Sequence, residues 1–210
     1  MQCYHGVIPS LFKKAIVHPV YKGHGKNLRD PGFYRPVVIV PSLSKGLEVA
    51  VRRALLSWFE DNHFLPQTQY AFRPGRSVSM ALTLAQTDWI DAKSKKEAFG
   101  VMAFDLSSSF DTLEPSILLS KLERAGIKGT QLQWFHSYLS DHSQTILWND
   151  VVSKPLCLRR GVPQGSILGP ILFLAMIYDM PDRLTRSTLT TLSKVVGYAD
   201  DTTVYAQRHL

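Results

Sequence analysis

The sequence predicts a mixed α/β fold in which helices pack on a mostly antiparallel sheet. Short runs rich in β-branched and aromatic residues alternate with longer runs whose apolar residues recur at helical spacing. Turn-forming residues separate strand-like runs at 22–34, 149–150 and 199–202, as expected of hairpins. Hydrophobic residues make up 45% of the 210 residues, which is enough for a normal core.

The formal net charge of +7 favours a polyanionic partner, either a nucleic acid or an anionic membrane surface. Cys3 and Cys157 are the only cysteines, so neither a disulfide framework nor a cysteine metal site is expected. The N-terminus does not read as a secretory signal. The apolar run 167–178 is too short to span a bilayer and indicates a buried helix. We therefore expect an intracellular protein, in the nucleus or cytoplasm, with no membrane partner.

Strand-like runs at 15–21 and 37–40 flank a polar loop and predict a hairpin with a basic shoulder. A solvated loop is the ordinary interpretation of such charges. The alternative is a triphosphate clamp, for which Lys22 and Arg35 are the candidate contacts.

Two helices are predicted next, from Ser42 or Ser44 to about residue 63 and from Ser77 to about residue 95. The first should bury apolar residues recurring at helical spacing: Leu47, Val51, Leu55 and Phe59. The loop between the helices places aromatic residues beside arginines. Such side chains can stack on bases and bind phosphates, although aromatics in a loop are more often core anchors.

A strand at 97–104 leads directly into Asp105, in the segment FDLSSSFD. Strand ends are where functional residues collect in α/β sheets, so Asp105 is a candidate site residue. Asp111, in the same segment, fits a role as the cap of the following turn instead. Helices at 114–125 and 130–140 follow, then strands at 143–148 and 151–158 joined around Asn149-Asp150.

The loop RRGVPQGS at 159–166 precedes the apolar helix. Gly161 and Gly165 allow the backbone to approach a ligand closely, and Gln164 offers both a hydrogen-bond donor and an acceptor. A glycine-framed loop is by itself also compatible with an ordinary connection.

The segment VVGYADDTTVY at 195–205 predicts a hairpin with Asp200 and Asp201 at its tip. A lone Asp pair in a turn is most often simply solvated. Here the flanking strands are of the buried type, and two carboxylates held this close repel each other unless a cation lies between them. Hard oxygen ligands suit Mg²⁺, and Asp105 supplies the further carboxylate that a catalytic site needs.

Taken in order, these segments resemble the catalytic core of a reverse transcriptase, of the kind carried by non-LTR (LINE-like) retrotransposons. The matching motifs are YRPVVIV at 34–40, FRPGRS at 72–77, FDLSSSFD at 104–111, GVPQGSILGPILF at 161–173 and YADD at 198–201. The resemblance runs from about residue 8 to the C-terminus. It implies a right-hand polymerase core, with fingers at 1–95 and a palm at 96–210 whose antiparallel sheet is packed by helices.

The resemblance also implies roles for single residues. Asp105, Asp200 and Asp201 would bind two Mg²⁺ ions, or Mn²⁺ in their place, for the transfer of nucleotides from deoxynucleoside triphosphates to a DNA primer, with release of pyrophosphate, as directed by an RNA template. Phe110 would pack under the sugar and reject a 2′-hydroxyl. The nucleotide-binding set would also include Lys22, Arg35, Gln164 and Gly165, and the template/primer set Phe72, Arg73 and Arg76.

The resemblance carries departures as well. FDLSSSFD has serines where relatives often have small apolar residues. The sequence stops just past YADD, so a thumb and an endonuclease are not expected in it, and weak polymerisation by this chain follows as an expectation. The rival interpretations are a catalytically inactive nucleic-acid-binding remnant, an intron-encoded reverse transcriptase fragment and an RNA-dependent RNA polymerase. Phe110 argues against the last, since an RNA polymerase must accept a 2′-hydroxyl.

Overall fold

The structure, a computed structural model, describes residues 6–23, 25, 27–106, 110–162, 165–187 and 193–208. The chain divides into two compact units that interleave along the sequence: unit 1 contains Met1–Leu55 and Phe110–Leu172, and unit 2 contains Leu56–Ser109 and Phe173–Leu210. This division does not test the predicted one into fingers, residues 1–95, and palm, residues 96–210, which stays a prediction.

Unit 1 is built on a sheet in which parallel and antiparallel pairings are mixed. Strand β1 (Lys14–Tyr21) pairs antiparallel with β2 (Tyr34–Ile39) and parallel with β4 (Ser143–Trp148). Two short strands, β5 (Val151–Val152) and β6 (Leu156–Cys157), pair antiparallel with β4. The predicted hairpins are confirmed, whereas the parallel pairing of β1 with β4 joins segments that no local pattern links.

Turn chemistry fixes the hairpin between β4 and β5. Asn149 and Asp150 both have positive φ angles, 45° and 66°. A two-residue hairpin loop of this kind matches the twist of the strands, and Asn and Asp tolerate the left-handed conformation better than most residues. The Asn-Asp pair therefore sets the register of this hairpin.

Three helices of unit 1 pack around this sheet's connections. α1 (Ser42–Asp61) begins in unit 1, and α3 (Pro115–Arg124) and α4 (Gly129–Leu139) are in contact with each other. Buried side chains on α4 supply much of the local core: Trp134, Phe135, Tyr138 and Leu139. α5 (Gly169–Ile177) starts in unit 1 and ends in unit 2, and its residues Ile171, Leu172 and Leu174 are almost wholly buried. The predicted buried helix is confirmed.

Unit 2 contains a three-stranded antiparallel sheet. The order is β3 (Ala98–Phe104), β8 (Asp201–Arg208), β7 (Ser193–Tyr198), so the strand nearest the C-terminus is central. Helix α2 (Val78–Ser94) packs on this sheet through Ala81 and Ala85, which meet Val196 and Tyr205. Ser77 caps α2 as predicted, because its hydroxyl accepts a hydrogen bond from the Met80 N–H.

Some element bounds differ from the predictions. β2 begins at Tyr34 instead of residue 37, because Tyr34 still pairs with Tyr21 across the hairpin. Helix α6 (Met180–Ser187) was not predicted; its sequence is polar apart from a narrow apolar stripe. Within the part of the chain that the structure describes, no helix is long and apolar enough to cross a membrane.

Candidate active site

Asp105 directly follows β3, and Asp201 begins β8, the strand with which β3 pairs. Phe104, the last residue of β3, pairs with Thr202 of β8. Continuing that register by one residue sets Asp105 opposite Asp201, the first residue of β8. Residues directly opposite in an antiparallel pair have side chains on the same face, with Cβ atoms about 4.5–5.5 Å apart. The register therefore brings together two carboxylates that are far apart in sequence.

Asp200 lies in the two-residue turn between β7 and β8. Tyr198 pairs with Asp201, so Ala199 and Asp200 form the turn itself. Ala199 has a φ of 56°, which is uncommon for a residue with a Cβ. The predicted hairpin with the aspartates at its tip is the one observed, and Asp105 and Asp201 are exposed there.

The donor set at this edge suits a hard divalent cation. Among the described residues, no group of three His, Cys, Asp or Glu side chains is arranged to hold a metal ion. Mg²⁺ is usually bound through one or two carboxylates together with substrate phosphates and water, not by a cage of protein ligands alone. Two exposed carboxylates, one directly after β3 and one at the start of β8, with a third in the adjoining turn, fit that mode of binding.

A segment that the sequence analysis did not assign to the site borders this turn. Gln69 is buried, and its carboxamide hydrogen-bonds to both polar backbone groups of Ala199. The backbone around Gln69 forms a parallel bridge with Gly197 of β7. No local signal marks this contact, because Gln69 and Ala199 are 130 residues apart.

Arg73 does not lie on the surface, contrary to what its predicted template contact requires. Its side chain is 2% exposed and forms a two-pronged ion pair with Glu60, with N–O distances of 2.7 and 2.6 Å. The remaining guanidinium nitrogen donates to the carbonyl oxygens of Pro66 and Gln69. These bonds hold the loop, and they lower the pKa of Glu60, chiefly through the hydrogen bonds from Arg73.

Arg76 and Phe72 are more accessible than Arg73. Arg76 is half-buried, donates to the side chain and carbonyl of Gln67 and to the Gln69 carbonyl, and lies 5.2 Å from the centre of the Tyr70 ring. Phe72 is 38% exposed. The template contacts predicted for these two residues stay predictions.

In unit 1, Lys22 and Arg35 share one face of the β1–β2 hairpin. Val20 pairs with Arg35, and the Lys22 N–H donates to the Phe33 carbonyl one step further along. Strand alternation then sets Lys22 and Arg35 as diagonal neighbours on that face. Both side chains are exposed, and the Lys22 ammonium donates to the Gly32 carbonyl at 2.9 Å. The hairpin thus presents a pair of cations together.

The glycines of the loop before α5 lie against the backbone of other unit 1 segments. A Cβ on Gly161, which has a φ of 80°, would come within 2.9 Å of the Phe110 carbonyl oxygen. One on Gly165, with a φ of 93°, would lie 3.1 Å from the Val38 carbonyl oxygen. Phe110 is half-buried, and its ring lies near Gly169. Gln164 lies outside the described residues.

The sheet that carries the aspartates is fastened to α2 by a polar cluster. The Tyr205 hydroxyl donates to Asp88 Oδ2 at 2.5 Å, and the Lys194 ammonium lies 2.6 Å from Asp88 Oδ1. Burial raises the pKa of Asp88, but the hydrogen bonds from Lys194 and Tyr205 outweigh it and the pKa is lowered overall. Burial and Asp88 together raise the pKa of Tyr205, so this hydroxyl stays protonated as a donor.

Comparison with known proteins identifies the family of the chain. A family profile described as "Reverse transcriptase (RNA-dependent DNA polymerase)" matches residues 22–209. The chain is 30% identical over 204 residues to the RNA-directed DNA polymerase from mobile element jockey of Drosophila melanogaster, covering 95% of this chain and 22% of that protein. It is 28% identical over 196 residues to the probable RNA-directed DNA polymerase from transposon X-element of the same organism, covering 93% and 21%.

A similar fold occurs in a solved telomerase. The structure of telomerase from Candida tropicalis in complex with a TWJ fragment of telomeric RNA matches with a TM-score of 0.65 and 11% identity, covering 95% of this chain and 37% of that one. At this identity the likeness shows the fold alone. The chain spans about a fifth of the length of the curated relatives named above.

Proposed function

Because the chain belongs to the reverse transcriptase family, of the kind carried by non-LTR retrotransposons, we propose that it forms the polymerase core of an RNA-directed DNA polymerase. In the reaction, the 3′-hydroxyl oxygen of a DNA primer attacks the α-phosphorus of a deoxynucleoside triphosphate. The bond from that phosphorus to the bridging oxygen breaks, pyrophosphate leaves, and the hydroxyl proton is lost. An RNA template selects the nucleotide.

The pairing of Phe104 with Thr202 supports the proposal, because it puts Asp105 and Asp201 at the same end of the β3–β8 pair, with Asp200 in the adjoining turn. Phosphoryl transfer depends on positioning and on neutralising charge, and little covalent chemistry is required of the protein. The three aspartates would hold divalent cations at this end of the sheet. When bound, Mg²⁺ or Mn²⁺ supplies Lewis-acid chemistry, lowering the pKa of the primer hydroxyl and stabilising the leaving pyrophosphate.

The remaining predicted residues bind the nucleotide and the template. Lys22 and Arg35, which share an exposed face of the hairpin, attract the triphosphate. Phe110, Gln164 and Gly165 line the nucleotide, with the Phe110 ring excluding a ribose 2′-hydroxyl. Phe72 and Arg76 contact the template. Arg73 is left out of this set, because its guanidinium is buried and bonded on every side described above.

The test measures metal binding by the purified chain, using Mn²⁺ followed by electron paramagnetic resonance. We expect Asp105→Asn and Asp200→Asn each to weaken Mn²⁺ binding by at least about ten-fold, since even groups behind the ligands are worth 10–100-fold in affinity. Asp91→Asn, an exposed carboxylate of α2 paired with Lys95, is the matched control and should bind Mn²⁺ normally. Unchanged affinity in both site variants would contradict the proposal.

A second measurement separates catalysis from mere binding. The chain is mixed in excess with a DNA primer annealed to an RNA template, deoxynucleoside triphosphates and Mg²⁺. Extension that Asp200→Asn abolishes supports the polymerase assignment. A nucleic-acid-binding protein without catalysis would be favoured by two results together. The primer–template would bind in a salt-sensitive way, and the Mn²⁺ affinity would be the same in both Asn variants as in the unsubstituted chain.

A further inference from the structure

The side chain of Gln69 holds the turn that carries Asp200. Gln69 is 4% exposed. Its Oε1 accepts hydrogen bonds from the N–H groups of Ala199 and Ala71, both at 3.0 Å, and its Nε2 donates to the Ala199 carbonyl at 3.2 Å. A carboxamide offers an acceptor and a donor at a fixed separation. It therefore satisfies both polar groups of one turn residue at once.

The backbone on either side of Gln69 is also fastened to the hairpin. The Tyr70 N–H donates to the Gly197 carbonyl at 2.9 Å, and the Gly197 N–H donates to the Thr68 carbonyl at 2.8 Å. A Cβ on Gly197 would come within 3.1 Å of Gln69 Nε2, so the two chains approach closely. β7 is an outer strand of the unit 2 sheet, and the backbone around Gln69 lies along the side of β7 that faces away from β8.

The hydrogen bonds from Gln69 are made to Ala199, the turn residue whose backbone conformation is strained. Ala199 has a φ of 56°, in the left-handed region where its Cβ is crowded. Residues persist in such conformations only when their surroundings determine them. The bonds from Gln69 to the Ala199 N–H and carbonyl provide that constraint, and the next residue is Asp200.

The backbone of Gln69 is fixed by hydrogen bonds from two arginines. Its carbonyl oxygen accepts hydrogen bonds from Arg73 at 3.3 Å and Arg76 at 3.2 Å. Arg73 is in turn fixed by its ion pair with Glu60 of α1. The carboxamide therefore cannot move away from the turn without breaking contacts to a helix.

We propose that Gln69 is a positioning residue of the polymerase reaction, which fixes the direction of the Asp200 carboxylate by holding both polar groups of Ala199. The proposal rests on the proposed function, because that function gives Asp200 its role as a metal ligand. Gln69 itself does not contact the reacting atoms. Its loss should free the turn and weaken metal binding while the rest of unit 2 stays folded.

The experiment compares Gln69→Met, which keeps the length but removes the hydrogen bonds, with Gln69→Asn, which is too short to reach Ala199. Gln67→Met is the matched control, since Gln67 belongs to the same loop and bonds to Arg76 instead of the hairpin. Three quantities are measured on the purified chain: the Mn²⁺ dissociation constant, the hydrogen-exchange rate of the Ala199 amide and the thermal midpoint of unfolding.

We expect both Gln69 variants to exchange the Ala199 amide faster and to bind Mn²⁺ about 10–100-fold more weakly, the usual cost of removing a group that orients a ligand. Gln67→Met should match the unsubstituted chain. A folded Gln69→Met protein with unchanged Mn²⁺ affinity, even with a lower thermal midpoint, would show a purely structural role and overturn the proposal. Should Gln69→Met not fold, the same comparison on Gln69→Asn decides.

Asp200→Asn distinguishes failure of this proposal from failure of the function beneath it. Where Asp200→Asn weakens Mn²⁺ binding and the Gln69 variants do not, only the positioning role is wrong. Where Asp200→Asn has no effect, Asp200 is not a metal ligand and the positioning role is wrong too; where Asp105→Asn also has no effect, the metal assignment itself is wrong. The exchange rate of the Ala199 amide then still reports whether the hydrogen bonds exist.

Discussion

The carboxylate of Glu48 accepts a hydrogen bond of 2.6 Å from the N–H of Ile167, 119 residues further along the chain. A second bond, of 3.2 Å, comes from the Leu168 N–H. Both donors directly precede α5, whose own first N–H, on Gly169, is bonded by the Ser166 hydroxyl. A buried acid of α1 therefore completes the N-terminus of α5 within unit 1 and fixes the end of the glycine-framed loop.

Replacing Glu48 by Leu should destabilise unit 1. Two backbone N–H groups would lose their acceptor in the interior, at about 1–3 kcal/mol for each donor left unpaired. The measurement is the unfolding free energy from urea titration, with Glu123→Leu on the exposed face of α3 as control. An equal, small loss in both variants would contradict the capping role.

The pH dependence of stability should also report Glu48. Burial raises the pKa of this carboxyl, although the bonds from Leu168 and Ile167 oppose the rise. Between the ordinary Glu pKa of about 4.3 and the raised value, the folded chain holds a proton that the unfolded chain has lost. The unfolding free energy should therefore fall as pH rises through that window. Glu48→Gln should remove this fall, and identical pH profiles for both proteins would argue against it.

Asp88 should contribute stability with the opposite pH dependence. Its pKa is lowered overall by Lys194 and Tyr205, so its contribution is full above the ordinary Asp pKa and is lost as pH falls through the lower folded value. At neutral pH, Asp88→Asn should cost about 1.5–3 kcal/mol, the range for hydrogen bonds to charged groups. The two proteins should converge in strong acid.

Asp91→Asn is the control for Asp88, since Asp91 lies on the same helix but pairs with Lys95 in solvent. An exposed pair four residues apart on a helix is screened by solvent and contributes little to stability. Thermal or urea unfolding of the three proteins at several pH values makes the comparison. A difference between Asp88→Asn and the unsubstituted chain that persists unchanged in acid would contradict the assignment.

Arg73→Met should lower the stability of unit 2 but should not weaken the binding of an RNA template. Removing one partner of a buried ion pair leaves the other uncompensated and costs about 3–5 kcal/mol; Glu60 is partly exposed, so the lower end applies. Arg53→Met, an exposed cation of α1, should have little effect on unfolding. Under conditions where both variants are folded, the salt dependence of RNA binding should be the same for Arg73→Met as for the unsubstituted chain. A weaker salt dependence of RNA binding in Arg73→Met would show that Arg73 does contact a phosphate.

Phe110→Ala should narrow the preference for deoxyribonucleotides. The proposed role of the ring is to clash with a 2′-hydroxyl, so its removal should strengthen ribonucleotide binding relative to deoxyribonucleotide binding. The measurement is the ratio of dissociation constants for GTP and dGTP on the purified chain. Asp111→Asn, next along the chain, serves as control. A ratio that does not change in Phe110→Ala would rule out the steric role.

Much of the fold could be predicted from local pattern. Helical spacing and a Ser cap predict α2, and Asn149-Asp150 predicts the hairpin of β4 and β5, because these signals depend only on neighbouring residues. The pairing of β1 with β4 depends on segments more than a hundred residues apart and has no local signature. Helix α6 was missed because its apolar residues are few and its charged residues resemble a loop.

The buried polar residues were harder to predict than the position of the aspartates. The hairpin that carries Asp200 and Asp201 could be predicted because its turn and strand residues are neighbours in sequence. Glu48, Gln69 and Arg73 are each buried by partners elsewhere in the chain, and a charged or amide side chain in a sequence is normally assigned to the surface. Arg73 was accordingly assigned to nucleic acid, whereas the observed partner is Glu60.

The strand order of the unit 2 sheet also has a consequence for synthesis of the protein on the ribosome. β8 is the central strand, yet it is the last of the three to be made, and β3 pairs with it across roughly a hundred residues. Until β8 emerges, the backbone of β3 has no partner there, and Phe99 lacks the Tyr205 ring against which it packs in the folded sheet, so this strand stays available for unwanted contacts with other nascent chains. Such distant pairing is also slow, because a long loop must close first. The end of the sheet that carries Asp105 and Asp201 is therefore assembled only at the end of translation of this region, and chaperones that shield nascent chains should matter most in that interval.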